Sequence, residues 1–96
     1  MGERRFDIRL ALAETVDVVG KEPDGQTHRW AAQLVNISVS GASLRAQRPV
    51  QVGTTISFAY QNQELTGKVR HCASRKPDYL LGIEFEPGSR WSGPQR

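Results

Sequence analysis

The chain has 96 residues, 38% hydrophobic and 24% charged, and its 13 basic side chains exceed the 10 acidic ones by three. That length makes one domain and excludes two; it buries about two thirds of its unfolded surface, leaving little stability to spare. The positive balance favours a polyanionic partner without identifying one. A lone cysteine, Cys72, excludes an internal disulfide, and two distant histidines make no zinc set, so neither a metal nor a cofactor is expected. Apolar runs stop at four or five residues, against roughly 20 for a membrane-spanning helix. The N-terminus MGERRFDIRL has no apolar stretch of the signal-peptide kind, so a cytoplasmic chain without membrane insertion is expected.

In chain order, residues 1–10 form an arm rich in arginine: Arg4, Arg5 and Arg9 stand against Glu3 and Asp7. Its composition is too polar to fold by itself, and it is expected to be mobile. From there to residue 87 the pattern alternates with period two, and no window offers an apolar stripe long enough for a helix of several turns. Leu10, Leu12, Val16 and Val18 define one face of a first strand, and the turn residues Glu22-Pro23-Asp24-Gly25 reverse the chain. Trp30, Ala32 and Leu34 open a second strand; Ala42, Leu44 and Ala46 mark the third; Ile56, Phe58 and Tyr60 mark the fourth. Gln61-Asn62 separates the fourth from a fifth whose inner face holds Leu65 and Val69. Lys76-Pro77-Asp78 leads into a sixth with Tyr79, Leu81, Ile83 and Phe85 on one face. Six short strands in a chain too small for a two-sheet sandwich predict an all-β fold, a closed or nearly closed six-stranded antiparallel barrel over 11–87. The tail 88–96, with Gly88, Gly93 and Pro94, is poor helix material and is expected to be poorly ordered, with Trp91 free to dock on the barrel.

Catalytic chemistry finds no support. His28 and His71 each lack a nucleophile in any known motif, Cys72 and His71 alternate in direction along a strand, and no Gly-x-x-x-x-Gly-Lys-Ser/Thr phosphate loop is present. A non-enzyme is expected.

Two clusters stand out. The first is Arg4-Arg5-Phe6-Asp7-Ile8-Arg9, whose guanidinium groups suit bidentate contact with phosphate or with the O6/N7 edge of guanine; a basic terminus that binds nothing in particular has the same composition. The second is Asn36-Ile37-Ser38-Val39-Ser40-Gly41. On extended backbone Asn36 and Ser38 leave one face and Ile37 the other, so an amide and a hydroxyl together can read the polar edge of a heterocycle, while Gly41 permits positive φ and close ligand approach. Asn, Ser and Gly are also ordinary turn residues, and a β-turn explains them equally well.

Taken together, Arg5-x-x-x-Arg9 followed some 27 residues later by Asn36-x-Ser38-x-x-Gly41, inside a six-stranded pattern, resembles the PilZ domain family. Ala42-Ser43-Leu44, Val52-Gly53 and Leu81-Gly82-Ile83-Glu84-Phe85 add to the resemblance, which covers residues 3–86. PilZ domains are receptors for cyclic di-GMP, a bacterial second messenger controlling motility and biofilm formation. The resemblance implies that Arg5 and Arg9 grip phosphates and guanine Hoogsteen edges, that Asn36, Ser38 and Gly41 hold a guanine, and that Arg4 contacts a second, intercalated ligand molecule. It further implies a ligand-driven change in the arm that signals to a protein partner. Asn36 stands where many members have aspartate, which bears on affinity more than on binding.

Two other readings are a PilZ-like adaptor working without ligand and a small basic barrel binding single-stranded nucleic acid. Intact motifs oppose the first. Against the second, only 7% of the chain is aromatic, and Phe58, Tyr60, Tyr79 and Phe85 lie on faces expected to be buried.

Overall fold

A computed structural model describes residues 10–89, 91 and 92. Six strands follow one another: β1 (Leu10–Lys21), β2 (Thr27–Ile37), β3 (Gly41–Ala46), β4 (Thr55–Tyr60), β5 (Gln63–Arg75) and β6 (Asp78–Phe85). All pairings are antiparallel, and the sheet closes in the order β1-β2-β3-β6-β5-β4. Closure rests on a short contact, Val19–Lys21 of β1 against Thr55–Ser57 of β4. The described residues contain no α-helix; a single 3₁₀ turn, Pro87–Ser89, follows β6.

Inward positions are the ones the alternation predicts. Val16 and Val18, Ala32 and Leu34, Ala42, Leu44 and Ala46, Ile56, Phe58 and Tyr60, Leu65 and Val69, and Leu81, Ile83 and Phe85 are buried in one cluster. Each fully buried leucine or isoleucine contributes about 1.5–3 kcal/mol relative to exposure. The hairpin turns follow from local chemistry. The Gly25 amide donates to the Glu22 carbonyl at 2.8 Å with Gly25 at φ +97°, and Gln61 and Asn62 both adopt positive φ in the two-residue link between β4 and β5.

Three irregularities interrupt the ladders, between Ala11 and Glu14 on β1, Leu34 and Asn36 on β2, and Val69 and His71 on β5. An extra residue in one strand changes which side chains face outward beyond it. On β2 it keeps both Leu34 and Ile37 in the core, three positions apart. On β5 it leaves Arg70 and His71 both exposed and turns Cys72 toward the core.

The tail residues that are described sit against the barrel. The Thr66 amide donates to the Ser89 hydroxyl at 2.6 Å, and the Ser92 amide donates to Gln63 Oε1 at 3.0 Å. Trp91 is 4% exposed, and its ring centroid lies 6.1 Å from that of Tyr60. Burial of this indole favours the docking of Ser89, Trp91 and Ser92 on the barrel.

Candidate functional site

β2 and β3 meet at one end of the barrel through a tight link. β2 ends at Ile37, and the Ser38 amide donates to the Gly41 carbonyl at 2.8 Å; the Ser38 hydroxyl donates to the same oxygen at 3.3 Å. Ser38 is 0% exposed. Its hydroxyl is therefore engaged in the link, and Ser38 does not share an extended face with Asn36, because the strand has already ended. Gly41 is not in the left-handed region either. A Cβ at this position would run into the carbonyl oxygen of Ile83 on β6, so the glycine permits close approach of two strands.

Asn36 is half-buried at the outer surface, and register places it in a row across four strands. Asn36 of β2 lies opposite Ser43 of β3, Ser43 opposite Gly82 of β6, and Gly82 opposite His71 of β5. The imidazole of His71 covers Gly82: a Cβ built there would overlap Cε1 and Nε2 and come within 2.8 Å of Nδ1. A polar amide, a hydroxyl and an imidazole seated over the Gly82 backbone thus line up along one row. Such a strip can take a planar heterocycle, with hydrogen bonds at one end and stacking at the other.

Charge on this face is positive and partly tied down. In the adjacent row the Arg45 guanidinium donates to Gln33 Oε1 at 3.0 Å, and on the far side Arg70 Nε meets Glu84 Oε1 at 2.6 Å, both groups exposed. An exposed pair of this kind adds little stability, so Arg70 can exchange its partner for a ligand oxygen at small cost.

The first strand begins at the same end. Leu10, which follows Arg9 in the chain, opens β1 opposite Ile37, and Ala11 pairs with Asn36. Arg4, Arg5 and Arg9 themselves lie outside the described residues.

A family model for the PilZ domain matches residues 3–91, a span that includes both the arginine motif and the Asn36–Gly41 segment. The chain belongs to the PilZ domain family. Among solved structures, this PilZ domain is similar to the K. pneumonia MrkH–c-di-GMP complex, with a TM-score of 0.58 at 16% identity over 88% of this chain. At that identity the likeness concerns the fold. The PilZ chain described here spans 45% of the MrkH chain. No curated protein matches it.

Of the residues singled out in the sequence, Asn36 near the end of β2, Ser38 in the link and Gly41 at the start of β3 lie at one junction of this PilZ barrel, Asn36 outermost and the other two buried. Ser43, His71 and Gly82 are brought beside Asn36 by strand register, which a single sequence does not reveal. The one available signal is Gly82 itself, a glycine inside the apolar run of β6, where a strand glycine marks close approach of another group. Among the described residues no group of three or more His, Cys, Asp or Glu is arranged to hold a metal ion, and no helix is long and apolar enough to cross a membrane.

Proposed function

We propose that this PilZ domain is a cyclic di-GMP receptor whose ligand bridges the N-terminal arginines and the Asn36–His71 strip. The observation that carries the reading is the single family match spanning both motifs, residues 3–91, together with the entry of β1 beside Asn36. The ligand has two guanines and two phosphates. Arg5 and Arg9 contact phosphates and guanine O6/N7 edges as charge-assisted, bidentate donors. The Asn36 amide donates to and accepts from a guanine edge, with Ser38 and Gly41 holding the link that fixes its position. Signalling follows from ordering: ligand binds the clamped arm better than the free one and shifts the population toward it, presenting a new surface to a protein partner.

The test is a calorimetric titration with cyclic di-GMP, with GTP as the control, on wild type and on Arg5→Ala/Arg9→Ala. Saturable binding of cyclic di-GMP by wild type, lost in the double variant, is the expected result. No binding by wild type would remove the receptor function, and binding that survives the double change would remove the role of the arginines. Hydrogen exchange of residues 3–10 tests the ordering step: equal protection with and without ligand would be incompatible with it.

A further inference from the structure

The opposite end of the barrel is built differently. β2–β3 pairing stops at Gln33 and Arg45, whereas β2 continues back to Thr27. Over residues 27–32 the β3-facing edge of β2 therefore has no β3 partner, and residues of the β3–β4 connection, 47–54, line the space beside it. The gap is a cavity of about 560 Å³ at the barrel mouth. Trp30 and Asn36 are six positions apart on β2, ~20 Å at the rise of a strand, so this cavity is separate from the strip described above.

Its wall combines three kinds of group. Trp30 is half-buried, and its indole Nε1 packs beside Gly20, 3.4 Å from where a Cβ would stand. Thr54 is 2% exposed, and its hydroxyl has no hydrogen-bond partner among the described residues. Buried hydroxyls are normally satisfied, and one in a cavity wall can be satisfied by what enters the cavity. At the rim, Arg29 and Arg48 are exposed and form no ion pair among the described residues, while the carboxylate present, Glu22, faces His28 at 3.5 Å.

We propose that the barrel mouth is a second binding site, for a small planar anion such as an aromatic carboxylate. Its ring lies against Trp30, its carboxylate is held by Arg29 and Arg48, and a ring substituent reaches the Thr54 hydroxyl. The volume falls within the range of small-molecule sites, and the mouths of β-barrels are a recurrent place for them. Two guanidinium groups favour a carboxylate, while the indole gives a flat apolar surface that a simple inorganic anion does not use. The site lies outside the cyclic di-GMP reading and does not depend on it.

The test is a titration of the whole ¹⁵N-labelled chain, followed by amide and indole NMR shifts, with 2-naphthoate, its neutral analogue 2-naphthalenemethanol, and acetate. Saturable shifts at Gly20, at the Trp30 indole N–H and at Thr54 are expected with 2-naphthoate alone. Arg29→Gln/Arg48→Gln, both at exposed positions, is expected to weaken binding about tenfold or more while the Asn36–Gly41 amides keep their shifts. The proposal is overturned by absence of saturable shifts at millimolar 2-naphthoate, by equal binding of the neutral analogue, or by unchanged affinity in the double variant. Shifts confined to the Asn36–Gly41 end would overturn it as well.

Discussion

The imidazole of His71 on β5 lies flat across the backbone of Gly82 on β6, occupying the volume that a side chain at residue 82 would fill. Gly41 is bounded differently, by the backbone carbonyl of Ile83. The two glycines therefore respond to the same change in different ways. Gly82→Ala forces only an exposed ring to swing aside and is expected to change stability by less than about 1 kcal/mol, while the His71 Cε1–H NMR signal shifts. Gly41→Ala must displace β6 backbone and is expected to cost about 1–3 kcal/mol in urea unfolding. Equal losses in the two variants would contradict the contact geometry.

Asn36 and Ser38 separate in the same manner. Ser38→Ala removes a buried hydroxyl from the β2–β3 link while leaving its amide bond to Gly41, so a loss of about 1 kcal/mol is expected. Asn36→Ala removes the outermost amide of the strip and is expected to weaken cyclic di-GMP about tenfold in calorimetry. Loss of binding in Ser38→Ala without loss of stability would place the Ser38 hydroxyl on the ligand instead.

Trp91 lies beyond the last strand yet is 4% exposed against Tyr60. Trp91→Ala is expected to cost about 3 kcal/mol, a large share of the stability of a small domain. A urea midpoint that does not move would mean that the tail contributes nothing to the fold.

Tyr60 provides a pH signature. Burial in the barrel, and secondarily the nearby Glu14 carboxylate, raise its hydroxyl above the ordinary 10.0. The unfolded chain then loses this proton first as pH climbs, so the stability contribution is intact below 10.0 and is lost as pH rises through the folded-state value. Wild type is expected to lose stability more steeply than Tyr60→Phe above that pH. Parallel profiles from the two proteins would refute the assignment.

Arg4 precedes the Arg5–Arg9 motif, and we propose that it contacts a second ligand molecule. Calorimetry is expected to give two cyclic di-GMP per wild-type chain and one per Arg4→Leu chain. A one-to-one stoichiometry in both would remove that role.

How much of this was legible from residues alone varies with the range of the interaction. Alternation along Ala42–Ala46, Ile56–Tyr60 and Leu81–Phe85 is a property of consecutive residues, and every inward position read from it is buried or half-buried. The Glu22–Gly25 and Gln61–Asn62 turns are equally local, since their backbone angles follow from residue type. The expected pairing of Asn36 with Ser38 on one face assumed that β2 continues, whereas it ends at Ile37 and Ser38 turns into the link. Likewise, the glycine at residue 41 meets a steric demand from β6 and not a demand on its own φ.

The sequence by itself determined an all-β chain of six strands, the core faces of those strands and the two motifs that carry the PilZ resemblance, starting from nothing more than 96 residues with a small positive excess. Only the tertiary structure decided that Asn36, Ser43, Gly82 and His71 form one row, that Arg70 and His71 both face outward, and that the barrel opens beside Trp30. The physical reason is register. Side-chain direction along a strand repeats every two residues and is written locally, but which residues become neighbours depends on how strands far apart in sequence slide against one another. Single-residue bulges reset that alignment on β1, β2 and β5, and the closing of the barrel then holds it.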